Sequence, residues 1–290
     1  MTLNDTRELG QFIPLHYHYE MLYDKARMTA FRAAIDHMVK PGSTVLELGS
    51  GTGVLSFFAA EKARKVYSAE LNLDLLDESR RLLALNRNGD KVELIHADAF
   101  EYLPPEPVDV VICEMLHVGL LREKQLAVID SFKSRYQDRF DGDLPLFIPQ
   151  ATIQAVQPVQ HNFDFDGFYA PIIMFQYPYS VDPRTTDLGE PVIYHQLWYD
   201  QKFGLSCDWS GSVSITAEGS LNALRFATKN ILAFVHEEQS SITWHNQYLI
   251  QPLEKELPVK TGDKMAVSWE YSAGDQLSAL RPVLSGPLSV

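Results

Sequence analysis

The chain has 290 residues, 46% of them apolar and 22% charged, which is typical of a soluble globular protein that buries a sizeable core. Its net charge of −13 argues against a nucleic-acid partner, because phosphate binding requires clustered Lys and Arg. The sequence also lacks an apolar run of roughly 18 residues for a membrane span, a signal-peptide pattern at its start, and enough cysteines for a disulfide framework or zinc cluster. We therefore expect a cytoplasmic protein with no metal site and no membrane anchor.

The first part of the chain, residues 1–150, alternates helical periods with short apolar strands. The predicted helices are 26–38, 55–63, 73–86 and 120–136, and the predicted strands are 44–48, 65–69, 92–95, 108–112 and 146–148. Strands alternating with helices of this length predict a doubly wound, mostly parallel, Rossmann-like sheet covered on both faces.

The composition changes after Pro149, and residues 151–290 contain short runs rich in Thr, Val and aromatic residues, broken by Gly, Pro, Asp and Asn. They predict strands at 151–159, 192–199, 211–216, 223–227, 231–236, 243–250 and 265–271. This pattern predicts an antiparallel barrel or sandwich domain. Residues 162–190 are aromatic with little strand or helix pattern, and we interpret them as an arm.

Three glycines at alternate positions, Gly49, Gly51 and Gly53, follow Glu47 at the turn between the first predicted strand and the next helix. Glycine lets the backbone turn sharply and approach a ligand without a Cβ in the way. The spacing differs from the pattern that cradles a dinucleotide pyrophosphate. It suits a nucleoside without phosphate, such as S-adenosylmethionine.

Two carboxylates follow the next two strands. Glu70 ends the second predicted strand, where a carboxylate can accept both ribose hydroxyls. Asp98, with Ala99 beside it, follows the third strand, where an acceptor can take the adenine amino group. In this order the motifs resemble those of the class I S-adenosylmethionine-dependent methyltransferases, which implies a cofactor across the carboxyl ends of the strands.

Glu114 and Glu123 lie nine residues apart in the sequence after the fourth predicted strand. Two converging carboxylates suit a guanidinium, which is planar, offers five donors and stays charged. Because a methyl sulfonium is reactive, positioning should supply most of the catalysis. Taken alone, Glu123 also fits a first-turn glutamate that complements a helix dipole.

The glutamate pair resembles the double-glutamate loop of the protein arginine methyltransferases, with the same separation. Residues 18–27, 147–151 and 257–263 are similar to that family as well. The resemblance implies His18 near the ribose, Arg27 on the cofactor carboxylate and Met21 near the accepting nitrogen. It also implies that residues 162–190 form a dimerisation arm of a homodimer.

The chain departs from that family at two places. The threonine-histidine-tryptophan loop appears as Thr243-Trp244-His245, with the last two residues exchanged. The family pairs this histidine with an aspartate at the position of Asp24, so His245 and Asp24 are candidate catalytic residues. An ordinary barrel histidine is an equal alternative. Inside the glutamate loop, Leu116 and His117 replace a methionine and a glycine, and their bulk could reshape the acceptor pocket.

Together these features predict an N-methyltransferase that acts on a protein or peptide, with arginine as the acceptor. An asparagine amide, as in the phycobiliprotein asparagine methyltransferases, is the second interpretation, although a neutral amide does not need two carboxylates. A small-molecule methyltransferase and a non-catalytic S-adenosylmethionine-binding interaction protein are further alternatives. The intact glutamate pair argues against the last.

Overall fold

The computed structural model describes residues 13–180 and 182–287, so the predictions for residues 1–12, Val181 and 288–290 lie outside the described part of the chain. The helices of the first half are α1 (Leu15–Tyr23), α2 (Lys25–Met38), α3 (Val54–Ala60), α4 (Leu73–Ala84) and α5 (Gln125–Phe140). Its strands are β1 (Thr44–Leu48), β2 (Lys65–Glu70), β3 (Val92–His96), β4 (Val110–Cys113) and β5 (Leu146–Ile148).

These five strands form a parallel sheet in the order β3-β2-β1-β4-β5. All five residues of β1 are buried, as expected for an apolar central strand covered on both faces. The strand order reverses between β1 and β4, and ligands of such open sheets bind at this point, outside the carboxyl ends of the strands. The predicted doubly wound sheet is confirmed.

The helix predicted over residues 120–136 begins later, at Gln125. Gly119, Leu120 and Arg122 have φ values of 70°, 55° and 64°, in the left-handed region that a right-handed helix excludes. Residues 114–124 are therefore an irregular loop with one 3-10 turn. Leu120 and Leu121 are both buried, so they extend the apolar pattern of α5 toward its N-terminus although the backbone there is not helical.

The second half is almost entirely β structure. Its strands are β6 (Ala151–His161), β7 (Asp164–Phe165), β8 (Phe168–Tyr169), β9 (Met174–Gln176), β10 (Thr185–Asp187), β11 (Val192–Trp198), β12 (Trp209–Ser214), β13 (Gly219–Val235), β14 (Ser240–His245), β15 (Tyr248–Val259), β16 (Lys264–Trp269) and β17 (Val283–Pro287).

Antiparallel pairing dominates this half, as predicted. One sheet has the order β10-β6-β13-β15-β9, with β11 also on β6 and β14 also on β13, and a second has the order β12-β16-β17. Two strand boundaries were predicted wrongly. The runs 223–227 and 231–236 belong to one 17-residue strand, β13, which continues through register shifts. The run 243–250 is divided between β14 and β15.

The segment 162–190 contains more strand than its sequence predicts. β7 and β8 form a small hairpin, whereas β9 pairs with β15 and β10 pairs with β6. The segment nevertheless leaves large apolar side chains exposed, among them Phe168, Tyr169, Ile172, Tyr177 and Tyr179.

The two halves share hydrophobic packing. Phe31 of α2 lies 5.8 Å from Trp244 of β14 between ring centroids, and both belong to the core cluster that contains the parallel sheet. Val118 and Leu121 of the loop after β4 pack instead into the core of the antiparallel half. Within the described residues, no helix is both long enough and apolar enough to span a membrane.

Candidate active site

A pocket lies beside the carboxyl ends of β1, β2, β3 and β4. It is enclosed further by α1 and α2 and by the loop that precedes α5. The sequence-predicted residues that line it are His18, Arg27, Glu47, Gly49, Gly51, Glu70, Asp98, Ala99, Glu114 and Glu123. Met21, which the family resemblance implies near the acceptor, lines it as well.

Two side chains, His18 and Met115, pack directly against the glycine turn after β1. A Cβ on Gly51 would lie 2.8 Å from His18 Nδ1, and one on Gly49 would lie 3.2 Å from Met115 Sδ. Both glycines have positive φ, which L side chains rarely adopt. Gly53 differs from them: a Cβ there would lie 3.3 Å from Leu83 of α4. Gly53 therefore serves helix packing and is not among the residues that line the pocket.

Glu70 fixes the glycine turn from the end of β2. Its Oε2 accepts a hydrogen bond of 2.8 Å from the Gly51 backbone N–H, and its Oε1 accepts one of 2.9 Å from Asn72 N–H. The residue is 8% exposed. Because a carboxylate oxygen has two lone pairs, each oxygen can accept one further hydrogen bond from a ligand.

The turn after β3 forms another wall of the pocket. Asp98 Oδ1 accepts a hydrogen bond of 2.9 Å from Phe100 N–H, so one oxygen of this carboxylate shapes its own turn. Phe100 also lines the pocket, and Leu71 and Leu75 add apolar surface. The combination suits a flat, mostly apolar ring with a polar edge.

Glu47 lines the pocket from near the carboxyl end of β1. It accepts a hydrogen bond from the Ser56 hydroxyl of α3. Burial raises the pKa of Glu47 to about 8, although the Ser56 hydrogen bonds oppose this shift.

Arg27 and Glu114 form an ion pair inside the pocket. Asp24 caps α2 by accepting a 2.9 Å hydrogen bond from Arg27 N–H, which starts the helix that carries the guanidinium inward. Arg27 Nη2 donates to Glu114 Oε2, and the two side chains are only 7% and 9% exposed. The carboxylate of Glu114 therefore already binds a guanidinium, one from its own chain.

Glu123 lies partly buried near this pair. Burial raises the pKa of Glu123 to about 8, and the negative charge of Glu114 adds to the shift. At neutral pH the Glu123 carboxyl is mostly protonated, whereas a cation placed between the two glutamates would favour its ionised form.

His245 and Asp24, the other predicted catalytic residues, do not line the pocket. Across residues 13–180 and 182–287, no hydrogen bond or ion pair joins them. Successive residues of a strand point to opposite faces, so the exchange turns Trp244 toward Phe31 of α2 and His245 away, against Tyr179 at 6.2 Å. Burial, and then the charge of Lys229, lowers the pKa of His245.

Other residues line the pocket without having been predicted to do so. Phe100 could have been found, since it adjoins Asp98 and Ala99 in the sequence. Met115 and Lys124 flank the two glutamates, but nothing in their spacing identifies them. His117, singled out for its bulk, packs edge-on against Phe175 with 5.7 Å between ring centroids, and burial lowers its pKa to about 4.

Comparisons with known proteins agree with this geometry. A family model described as a methyltransferase domain matches residues 45–135. An uncharacterized protein of Methanocaldococcus jannaschii is 27% identical over 91% of this chain and 95% of its own length. Protein arginine N-methyltransferase PRMT10 of Arabidopsis thaliana is 33% identical over 54% of this chain, but the match spans only 42% of that protein.

Solved structures extend the likeness to nearly the whole fold. The PRMT1 enzyme–prozyme heterotetrameric complex of Trypanosoma brucei with AdoHcy gives a TM-score of 0.75 at 16% identity, covering 95% of this chain and 99% of that chain. Protein arginine methyltransferase 10 of A. thaliana, in an open conformation, gives 0.73 at 20% identity, covering 90% and 88%. At these identities the likeness is one of fold.

Proposed function

We propose that this class I S-adenosylmethionine-dependent methyltransferase, which resembles the protein arginine methyltransferases, methylates a guanidinium nitrogen of arginine in a protein or peptide. In this proposal residues 1–150 bind the cofactor, and residues 151–290 complete the acceptor site. The second half does so by packing against the loop that carries Glu114 and Glu123.

The observation that carries the proposal is the concentration of carboxylates in one pocket. Glu47, Glu70, Glu114 and Glu123 all line it, facing two basic side chains, Arg27 and Lys124. The methyl donor has a sulfonium cation, and arginine is a cation at any ordinary pH. The acidic groups outnumber the basic ones, and two of them, Glu47 and Glu123, have pKa values raised to about 8 and ionise more readily when a cation binds beside them. Such a pocket suits two cationic centres brought together better than it suits a neutral amide acceptor.

The side chains of the pocket fit S-adenosylmethionine. His18 Nε2 and Ser50 Oγ are buried without a hydrogen-bond partner in the protein, and both residues line the pocket. Burial lowers the pKa of His18 to about 4, so its ring is neutral and one ring nitrogen can serve a ligand. In this assignment Glu70 holds the ribose hydroxyls and the turn of Asp98 holds the adenine.

Arg27 has two roles in this proposal. It faces the cofactor carboxylate, as the family resemblance implies, and it holds Glu114 in place by the ion pair described above. A guanidinium can serve both because its donors spread over three nitrogens in one plane.

The acceptor site follows from the same chemistry. Glu114 and Glu123 bind and orient the substrate guanidinium, and its arrival favours loss of the proton that Glu123 holds. When bound, the cofactor supplies an electrophilic methyl group. The sulfur–methyl bond breaks as the nitrogen–methyl bond forms, which leaves a neutral thioether on the cofactor. The accepting nitrogen passes one proton to the ionised Glu123 carboxylate, and the methylated guanidinium remains a cation paired with Glu114.

We also propose a homodimer formed through residues 162–190. Phe168 and Tyr169, which form strand β8 of the small hairpin, are 72% and 61% exposed, and adjacent exposed apolar side chains of this size are typical of an interaction surface. Their exposure supports the dimerisation arm implied by the family resemblance.

The acceptor is tested by methyl transfer from labelled S-adenosylmethionine to three peptides that differ only at one central residue: arginine, lysine or asparagine. We expect label on the arginine peptide, located on the guanidinium by mass spectrometry. Label on the asparagine peptide alone would contradict the arginine acceptor and support an amide acceptor instead. Label on none, with cofactor still bound, would exclude a peptide acceptor of these kinds.

A further inference from the structure

We propose that Asn246 is a positioning residue for methyl transfer. Its buried side chain holds the loop between Glu114 and Glu123 in the shape that directs the two carboxylates at the acceptor. This inference rests on the proposed function for the identity of the acceptor, but the order of the loop can be measured without one.

The loop 114–124 cannot hold its own shape. It has no strand partner, and its backbone passes through left-handed conformations at three positions. Its own turn and the backbone of residues 274–275 satisfy some of its polar backbone groups between His117 and Glu123. The other buried groups need side chains from elsewhere in the fold, because an unpaired buried group is costly.

Gln125, the first residue of α5, secures the start of the loop. Its Nε2 donates 2.7 Å to Cys113 O, and its Oε1 accepts 2.8 Å from Met115 N–H. These two bonds flank Glu114 in the sequence and fix the peptide groups on either side of it. Gln125 is next to the loop in the sequence, so this contact is local.

Asn246 secures the following turn from the other half of the molecule. Its Nδ2 donates 2.9 Å to Leu116 O, 130 residues away in the chain. A carbonyl only accepts, so this contact determines which side-chain atom of Asn246 is the nitrogen. Its own backbone N–H donates 3.1 Å to Thr228 O, which fixes the base of the side chain.

Asn246 is itself held by a chain of buried hydrogen bonds. Asn230 Nδ2 donates 2.8 Å to Asn246 Oδ1, and Thr152 Oγ1 donates 3.0 Å to Asn230 Oδ1. Tyr199 completes the chain at 2.9 Å from the Thr152 hydroxyl. All four side chains are buried, and such a network has one satisfied arrangement in a medium of low dielectric constant.

Two further contacts secure the middle of the loop, and one of them comes from Thr228, whose carbonyl also accepts the Asn246 backbone N–H. Gly119 N–H donates 2.8 Å to Thr228 Oγ1, and Tyr271 OH donates 2.8 Å to Gly119 O. Asn246 therefore acts on the part of the loop nearer Glu114, and its removal leaves these contacts in place.

The experiment compares three variants of the full chain. Asn246→Ala removes the contact, and Thr152→Val removes the hydroxyl that joins Tyr199 to Asn230 while keeping the shape of the side chain. The matched control is Asn222→Ala. Asn222 lies on β13, and its side chain also makes two hydrogen bonds, accepting one of 2.8 Å from His161 N–H and donating one of 2.9 Å to His161 O, but none to the loop. For each variant kcat, cofactor affinity, thermal midpoint and hydrogen exchange of residues 114–124 are measured.

We expect Asn246→Ala to lower kcat by about 10- to 100-fold, because a displacement of about 1 Å in a positioned group has an effect of that size. Thr152→Val should act in the same direction with a smaller loss. Cofactor affinity should stay within about twofold of wild type, since that side of the pocket is held independently. The loop should exchange faster in both variants and not in Asn222→Ala.

Unchanged loop exchange in Asn246→Ala, or equal losses of kcat in Asn246→Ala and Asn222→Ala, would overturn the proposal. If Asn246→Ala does not fold, Thr152→Val decides by the same two measurements. If the wild type does not methylate arginine peptides, the proposed function fails, and the exchange data still decide whether Asn246 orders the loop.

Discussion

The turns after β1 and β2 and the loop after β4 face the same pocket but are held in different ways. Glu70 and Ser79 hold the Gly51 turn across 19 and 28 residues of sequence. The loop between Glu114 and Glu123 is held by Thr228, Asn246 and Tyr271 across 109, 130 and 152 residues. The cofactor side is thus a local construction of the parallel sheet, whereas the acceptor side exists only when both halves have folded together.

The largest expected effect concerns the acceptor side of the pocket and should distinguish it from the cofactor side. Glu114→Gln and Glu123→Gln should each reduce methyl transfer by on the order of 30- to 1000-fold, about 2–4 kcal/mol of transition-state stabilisation. Cofactor affinity should be nearly unchanged in Glu123→Gln, whereas Glu114→Gln also removes the partner of Arg27, which faces the cofactor carboxylate in the proposed assignment. Single-turnover methyl transfer measured beside cofactor binding tests this.

The two variants should differ in stability. Glu114→Gln leaves the buried Arg27 without its carboxylate, and breaking such a pair costs roughly 3–5 kcal/mol. Glu123→Gln imitates the protonated carboxyl that the free enzyme already holds, so its thermal midpoint should change little. Full activity in both variants would show that this loop does not bind the acceptor.

The second prediction concerns the cofactor side. Glu70→Ala should weaken cofactor binding by about 1.5–3 kcal/mol, the usual value of hydrogen bonds to a charged group. It also removes the acceptor for Gly51 N–H, so the glycine turn loses a contact as well. Calorimetry on the folded variant measures the affinity, and Glu93→Ala, an exposed β3 carboxylate that does not line the pocket, is a matched control. An affinity equal to that of the control would refute the assignment of Glu70 to the ribose.

The third prediction concerns the proposed arm. Phe168→Ser together with Tyr169→Ser should raise the dissociation constant of the dimer at least about tenfold, because burying such side chains contributes roughly 1.5–3 kcal/mol each. These exposed positions are a gentler test than deleting residues 162–190, whose strands β9 and β10 pair with the large sheet. Light scattering across a concentration series gives the result, and a monomeric wild type would exclude the arm.

The smallest expected effect is the release of a proton when the acceptor binds. Because the pKa of free Glu123 is raised to about 8, binding of a cationic acceptor at pH 7 should release up to one proton. Calorimetry in buffers of different ionisation enthalpy counts this proton, and Glu123→Gln should release none. Equal release by both proteins would assign the proton to another group.

The same shift predicts how stability depends on pH. The folded pKa of Glu123 lies above its ordinary value of 4.5, so its contribution is fully present below pH 4.5 and is lost as the pH rises toward about 8. Glu47 changes in the same direction, so Glu123→Gln should reduce this slope without abolishing it. A steeper slope in the variant would contradict the assigned shift.

The contrast between the two sides also explains what the sequence could predict. The glycine turn, Glu70 and Asp98 follow consecutive strands, so strand order alone brings them to one edge of the sheet. Gly53 shows the limit of this reasoning, because the same spacing serves the packing of α4. The alternation of strands with helices likewise predicted the parallel sheet, since a hydrophobic period is a local property.

The other features of the site depend on contacts between residues that are far apart in the sequence. The sequence before α5 resembles the start of a helix because it contains Leu120 and Leu121. In the structure these two leucines are buried in different cores, and no local pattern predicts that separation. Asn246 and Thr228 have no motif around them, and their role follows only from what they contact. The orientation of His245 could have been predicted from the sequence. Neighbouring residues of a strand face opposite sides, so exchanging the histidine and the tryptophan also exchanges the sides that they face.

The long strand β13 has a consequence for the molecule as a whole. Leu224 and Phe226 in its first part pack in the core of the antiparallel half, and Leu232 and Ala233 near its end pack in the core that contains the parallel sheet. A single covalent segment thus belongs to both hydrophobic cores, and neither core can open without disturbing it. Cooperative unfolding in one transition is the expected behaviour of such an arrangement. Because β13 lies wholly within residues 151–290, exchange of the second half for another domain would also remove Leu232 and Ala233 from the core that contains the parallel sheet, and that core would have to be rebuilt.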